Sequence, residues 1–273
     1  MTAPKIWFVT GAARGFGRLW TEAALARGDK VAAAVRNVSA LDDLVSTYGD
    51  AILPLTLDVT DRPGVFAAVQ RAHDHFGRLD VVATVAGYGI YGAIEEVAID
   101  DARANIETNV FGTLSVMQAA IPLLRAQGSG HFLAVSSLAG LVAMPNAGIY
   151  EAAKFAVEGM SEALAHEVAG FGIKVTIIEP GPYLTDFNSP QSIRQAEPIP
   201  AYDGVRAYLA SMLTPDMMGK PAATSAAILK VVDAEQPPLR LILGSMGPLV
   251  RQVYEQRLKT WEEWQDVSAA AQG

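Results

Sequence analysis

No cysteine occurs anywhere in the 273 residues. A disulfide scaffold, a thiol nucleophile and a cysteine-based zinc site are thereby excluded. Long apolar runs are missing too: nothing approaches the ~18 uninterrupted residues that a membrane-spanning helix requires. Positive charge is in the minority, 21 Lys and Arg against 29 Asp and Glu, for a formal net charge of −8. General nucleic-acid binding needs a basic footprint, which this composition does not provide. The opening residues Met1-Thr2-Ala3-Pro4-Lys5-Ile6-Trp7 show none of the charged start, long apolar stretch or cleavage site of a signal peptide. His73, His75, His131 and His166 are scattered, with no ligand partner at metal spacing, so no metal is expected. The plain expectation is a cytoplasmic protein with neither membrane nor nucleic-acid partner.

What is present is apolar: 51% of the residues are hydrophobic, ample for a core that folds without metal or disulfide support. Short β-branched runs at 5–10, 30–36, 51–57, 80–86, 130–137 and 173–180 read as strands. Helix-like stretches at 15–27, 39–48, 63–76, 101–125 and 150–169 separate them. Strands of four to eight residues spaced by helices predict an α/β fold, a doubly wound parallel sheet of about seven strands with helices on both faces. Most strands are apolar throughout, as burial on both faces requires. No linker interrupts the chain before residue 180, and a single domain over 1–273 is expected. The proline-rich region at about 183–220 is too long for an ordinary connection and is expected to be a substrate flap. A helix at 221–234, a last strand at 239–243 and a charged C-terminal helix at about 246–266 follow.

The first strand runs into Thr10-Gly11-Ala12-Ala13-Arg14-Gly15-Phe16-Gly17 and then a helical pattern. Glycines at such a turn let the backbone approach a pyrophosphate, and the helix start offers free N–H groups and a positive dipole end. The second strand ends at Arg36, with no acid until Asp42, where NAD sites commonly place a carboxylate for the ribose 2′-hydroxyl. Arg36 and Arg14 are suited to a 2′-phosphate, which a guanidinium binds bidentately, so NADP(H) is preferred over NAD(H). Further along, Tyr150 and Lys154 stand at i, i+4 on one helix face, and Ser137 closes the preceding strand. A lysine ammonium near a tyrosine, together with an oxidised nicotinamide, favours the phenolate and brings its proton exchange toward neutral pH. A serine hydroxyl there is able to hold a substrate oxygen against that tyrosine. Ser136 is expected to serve the backbone turn.

The glycine spacing of Thr-Gly-x-x-x-Gly-x-Gly, with Ser137 and Tyr150-x-x-x-Lys154, resembles the short-chain dehydrogenase/reductase family in its compact single-domain branch. The resemblance covers essentially the whole chain. It implies that Gly11, Arg14, Gly15, Phe16, Gly17 and Arg36 hold the cofactor, with Asp58 and Val59 at the adenine. It adds Ala86 and Gly87 after the fourth strand, and Pro180, Gly181 and Thr185 at the nicotinamide. It implies a catalytic set of Ser137, Tyr150, Lys154 and Asn109, the last holding a water that links the lysine to solvent. Asn105 competes with Asn109 but lies outside the Asn-x-x-Gly phrase. Two departures stand out: Thr84 and Val85 replace a pair of asparagines that tie the central strands, and Glu151 occupies a usually small position. Glu151 is expected to point away from the Tyr150–Lys154 face as a solvated charge.

The activity so implied is NADP(H)-dependent interconversion of a carbonyl and an alcohol, as in a carbonyl reductase. Tyr88, Ile90, Tyr91, Leu138, Leu141, Met144, Tyr183, Leu184 and Phe187 are expected to line the substrate pocket, which suits a largely apolar small-molecule ketone or aldehyde. A catalytically silent NADP-sensing or scaffold protein is the alternative, opposed by retention of all the catalytic residue types. A sugar-nucleotide epimerase or dehydratase is opposed by the glycine spacing. The family resemblance further implies a homodimer or homotetramer, paired through the helices at 101–125 and 150–169.

Overall fold

The computed structural model describes residues 4–185, 187, 189, 192–212, 214 and 217–273. The first half of the chain alternates strand and helix: β1 (Ile6–Thr10), α1 (Gly15–Ala26), β2 (Lys30–Val35), α2 (Asp42–Tyr48), β3 (Ile52–Thr56), α3 (Arg62–Phe76) and β4 (Val81–Thr84). A three-residue strand β5 (Gly89–Tyr91) precedes α4 (Ile99–Ile106), α5 (Gly112–Gln127), β6 (Gly130–Val135), α6 (Gly148–Val168) and β7 (Ile173–Pro180). Then come β8 (Ile193–Gln195), α7 (Asp203–Met212), α8 (Thr224–Asp233), β9 (Arg240–Leu243), α9 (Gly247–Glu263) and α10 (Gln265–Ala270). Seven strands form one parallel sheet in the order β3-β2-β1-β4-β6-β7-β9.

Side chains alternate between the faces of a strand, which is why Trp7 and Phe8 feed different cores. Phe8, Ala32, Val82 and Phe132 pack with Val69 of α3, Val116 and Leu124 of α5, and Val157 and Leu164 of α6. Trp7, Val31, Val81, Leu133 and Ile178 pack with Trp20 and Ala24 of α1, Leu44 of α2, and Ile228 of α8. Burial on both sides explains strands that are apolar at every position. The chain crosses from β1 to β2 in one direction, while β4 takes the other side of β1. Such a switch opens a crevice at the carboxyl ends of the strands, where ligands of open parallel sheets bind.

Two features were not visible in the residue pattern. The long helix predicted over 101–125 is interrupted by a π-helical turn at Glu107–Phe111. The other is a second, two-stranded parallel sheet of β5 and β8, pairing Ile90 with Arg194. Of the segment predicted as a flap, residues 186, 188, 190, 191, 213, 215 and 216 lie outside the described residues, Pro190 and Pro215 among them. Glu96 ties this segment to the loop after β5. Its carboxylate accepts from Ala93 N at 2.6 Å, Ile199 N at 2.7 Å and Arg206 Nη1 at 2.6 Å. The Ile199 N–H is the largest of the influences that hold it below the usual carboxylate range. None of the described helices is long and apolar enough to cross a membrane.

His131 gives the fold a defined acid sensitivity. Thr176 Oγ1 spends its proton on Pro238 O at 2.8 Å, so the 2.9 Å contact with His131 Nε2 requires that nitrogen to donate. Burial, reinforced by Lys174 and Lys5, pushes the imidazole down from 6.5 to about 4. An unfolded histidine takes its proton near pH 6.5, whereas the folded one resists until about 4. Between those values the unfolded chain binds more protons, so stability falls with pH by roughly 3 kcal/mol in all. The melting temperature of His131→Gln is expected to fall less steeply over that window than the parent's. Parallel slopes would remove His131 as the cause.

Candidate active site

At the carboxyl ends of the central strands lies a cleft of about 1140 Å³. The turn after β1 builds one end. Gly11 has φ +71°, and a Cβ there would lie 3.0 Å from Ala86 Cα, so only glycine meets both conditions. A Cβ on Gly17 would lie 2.3 Å from Gly11 O. Gly17 therefore lets the first turn of α1 rest directly on the turn's backbone. Gly11, Arg14, Gly15 and Phe16 line the cleft, and Gly17 lies behind the turn. Phe16 stacks on Trp20 at 5.5 Å and meets Tyr183 edge-on at 5.3 Å.

Arg36, Asp58 and Val59 extend the same wall, with Arg36 exposed at the end of β2. Asp58 accepts hydrogen bonds from Thr60 N at 3.0 Å and Thr60 Oγ1 at 2.8 Å. The Thr60 N–H is the main reason its carboxyl sits below the usual range, and Arg36 adds to it. Ala86 and Gly87 form the floor. Where Thr84 and Val85 replace the asparagine pair, Thr10 Oγ1 of β1 accepts from Val85 N at 3.1 Å and Ala86 N at 3.2 Å. An approachable backbone turn at a helix start, with two guanidinium side chains on its cleft, fits a phosphorylated dinucleotide.

The other end of the cleft gathers Ser137, Tyr150, Lys154, Pro180, Gly181 and Thr185. Tyr150 and Lys154 are buried on one face of α6, with Lys154 Nζ 5.7 Å from the Tyr150 ring centre. Lys154 Nζ donates to Val135 O at 3.0 Å. Burial lowers the lysine to about 8, against the opposing charge of Glu158. Burial also pushes the Tyr150 phenol well above its ordinary value, aided by Tyr91 and opposed by a hydrogen bond with Ser137. Burial thus outweighs the Ser137 hydrogen bond at Tyr150.

Asn109 lies just behind the cleft wall. It sits in the π-helical turn, where its Nδ2 donates to Tyr88 O at 3.0 Å and to Asn105 O at 3.0 Å. Its Oδ1 accepts from Tyr88 N at 3.2 Å. A Cβ on Gly87 would meet that Oδ1 at 2.4 Å and Lys154 Nζ at 3.8 Å, so asparagine and lysine flank the same glycine. The widened helical turn supplies the local compensation that an asparagine inside a helix needs. Asn105 is also buried and donates to Tyr88 O at 3.0 Å.

Three polar side chains differ from expectation. Ser137, not Ser136, serves the backbone turn, accepting from Ala139 N at 3.1 Å while also meeting Tyr150. Ser136 faces α6, its Oγ 3.4 Å from Lys154 O. Glu151 is not solvated: it is 5% exposed, and its Oε1 accepts from Met144 N at 2.5 Å. The loop before α6 covers the first turn of that helix. Of the expected apolar lining, Tyr88, Tyr91, Leu138, Met144, Tyr183 and Phe187 face the cleft. Ile90 and Leu141 are packed inside the protein, and Leu184 points to solvent.

The short chain dehydrogenase family model matches residues 5–196. The chain belongs to that family. An oxidoreductase, BOA17 of Botryotinia fuckeliana, is 40% identical over 271 residues, 98% of this chain and 99% of that protein. The fold matches a short-chain dehydrogenase from Streptomyces avermitilis with TM-score 0.90 and 36% identity, covering 99% of each chain. A Burkholderia cenocepacia short-chain dehydrogenase in complex with NADP matches with TM-score 0.76 and 27% identity, over 95% of this chain and 97% of that one.

This short-chain dehydrogenase also carries a buried acidic cluster that the motifs did not reveal. Glu158 lies one helical turn beyond Lys154, and Arg240 Nε donates to its Oε2 at 3.2 Å. Glu179, 1% exposed on β7, lies 3.5 Å from the same Arg240 Nε. Burial first, then the charge of Glu158, pushes Glu179 up to about 8 against the pull of Arg240. The i, i+4 spacing of Lys154 and Glu158 was the available signal.

Proposed function

We propose that the protein is an NADP(H)-dependent oxidoreductase that interconverts a largely apolar ketone or aldehyde and its alcohol, with Tyr150 as proton donor and acceptor. The observation that carries this reading is the meeting of Ser137, Tyr150 and Lys154 at one end of a cleft whose other end presents Arg14 and Arg36. NADP(H), when bound, supplies or takes up the hydride. Ser137 holds the substrate oxygen against Tyr150. Tyr150 gives its proton to the oxygen of a carbonyl in reduction and takes it back from the alcohol in oxidation. Lys154, lowered to about 8, still carries a charge near pH 7 and offsets negative charge developing on Tyr150. Asn109 holds the Tyr88 backbone beside Lys154 and serves the return of protons from solvent. The apolar and aromatic wall of Tyr88, Tyr91, Leu138, Met144 and Phe187 supports an uncharged reacting end. Exposed Phe111 and Phe155, next to and within the long helices, support pairing of subunits through them.

The test follows absorbance as NADPH or NADH is consumed with a panel of apolar ketones and aldehydes. Turnover with a clear NADPH preference is expected. Arg36→Asp removes a cation and adds a repelling carboxylate beside the 2′-phosphate. It should lower the NADPH-over-NADH ratio of kcat/KM about tenfold or more. A ratio unmoved by Arg36→Asp would end the argument for this arginine. Tight NADPH binding with no turnover on any carbonyl would favour a cofactor sensor instead.

A further inference from the structure

Glu151 is a buried carboxylate on the cleft to which the proposed reaction gives no task. It follows Tyr150 in the first turn of α6 and is 5% exposed. Its Oε1 is occupied by Met144 N, and no donor among the described residues is hydrogen-bonded to Oε2. No described Lys or Arg forms an ion pair with it, and burial raises its pKa with only the Met144 N–H in opposition. Two cations that line the cleft are committed elsewhere. Lys154 donates to Val135 O, and Arg194 pairs with Asp101 at 2.8 Å and lies over the Tyr88 ring at 5.2 Å.

Its place at the reacting end is set by the chain: it directly follows Tyr150, and Tyr150, Tyr91 and Glu151 all line the cleft. The charge of Glu151 adds to the burial that raises Tyr91. A carboxylate taken out of water is costly unless an opposite charge and hydrogen-bond donors complete its shell. One backbone N–H fills Oε1, and Oε2 stays open to the cleft. The complementary partner is a cation able to donate a hydrogen bond, arriving from the cleft.

We infer that Glu151 binds an ammonium group on the substrate, making amino ketones and the matching amino alcohols the preferred substrates. The inference rests on the reaction proposed above and narrows its substrate class. The amine sits at Glu151, and the rest of the molecule lies on the aromatic and aliphatic wall. A purely structural Glu151 would brace the loop through Met144 N alone, a task that an uncharged glutamine performs equally well.

That difference sets the experiment. The protein saturated with NADP⁺ is titrated calorimetrically with an amino ketone, with its isostere carrying methyl in place of ammonium, and with the hydroxy ketone. Oxidised cofactor leaves the ketones unreacted, so binding is read whether or not turnover occurs. The parent should bind the amino ketone about tenfold or more tightly than the methyl isostere, the scale of a charge-assisted hydrogen bond. In Glu151→Gln that ratio should collapse toward one. The inference is overturned by a parent ratio near one, by a ratio that survives in Glu151→Gln, or by a hydroxy ketone bound as tightly as the amino ketone. The parent ratio stands as a test even where the variant fails to fold. NADPH consumption with the same ketones reports separately on the reaction, so a protein that selects the amine without turnover contradicts only the latter.

Discussion

Tyr150→Phe should lower kcat by about 10²–10⁴-fold, the range that a positioned acid–base group contributes. The substitution removes a single oxygen. The ring keeps its place 5.7 Å from Phe187 and 5.7 Å from Lys154 Nζ. What disappears is the hydroxyl and its hydrogen bond with Ser137. A buried hydrogen bond contributes about 1 kcal/mol to stability, so the variant should remain folded. The phosphate turn lies at the other end of the cleft, so NADPH affinity, read by fluorescence titration, should change little. Steady-state kinetics then separates the roles: kcat falls, while the cofactor dissociation constant holds. Turnover at the parent rate would eliminate Tyr150 as the proton donor. Loss of cofactor binding in parallel would instead make the tyrosine a structural element of the cleft.

The sheet was legible because its physics is local and repetitive. Strands buried on both faces must be apolar throughout, and helices of one or more turns must separate parallel neighbours, so β1 to β4, β6 and β7 and most of the helices between them announce themselves. The features that escaped depend on partners distant in the chain. β5 and β8 have three residues each and exist only because residues 89–91 and 193–195 meet. The π-helical turn at Glu107–Phe111 is set by where the Asn109 side chain finds Tyr88 and Asn105.

Within the site, side chains whose direction follows from one element were read more reliably than those governed by two. Tyr150 and Lys154 share a helix face by spacing alone. Glu151 was assigned to solvent by the same helical logic, yet the loop carrying Met144 covers that turn and buries it. Ser136 and Ser137 are adjacent at a strand end, and what each touches is decided by α6 and the Ala139 turn. Charge states were the least legible. The spacing shows that Tyr150 and Lys154 are close, whereas the burial that dominates both groups is supplied by the whole surrounding structure.

Gly17→Ala is expected to be the most damaging single-methyl change at the cofactor end. The new Cβ would stand 2.3 Å from Gly11 O and 2.8 Å from Gly11 C, far inside contact distance. Those are backbone atoms, so no flexible side chain can move aside. Either α1 lifts or the turn opens. Neither is easy, because α1 is held by Trp20, whose Nε1 donates to Thr224 Oγ1 at 2.9 Å. The turn is equally held, with Gly11 N donating to Ala34 O at 3.0 Å and Thr10 Oγ1 accepting from Val85 N and Ala86 N. Overpacking of this kind costs about 3 kcal/mol, which for a chain of this size lowers Tm by roughly 5–10 °C. The opened turn should also lose the backbone approach to phosphate, weakening NADPH binding about a hundredfold or more, since aligned backbone donors act only in register. Calorimetry and NADPH titration measure the two effects on one sample. Gly15→Ala is the control: no atom lies within 4 Å of its added Cβ, so it carries only the strain of a residue at φ +54°. A Gly17→Ala protein that melts with the parent and binds NADPH normally would show that the turn does not depend on this contact.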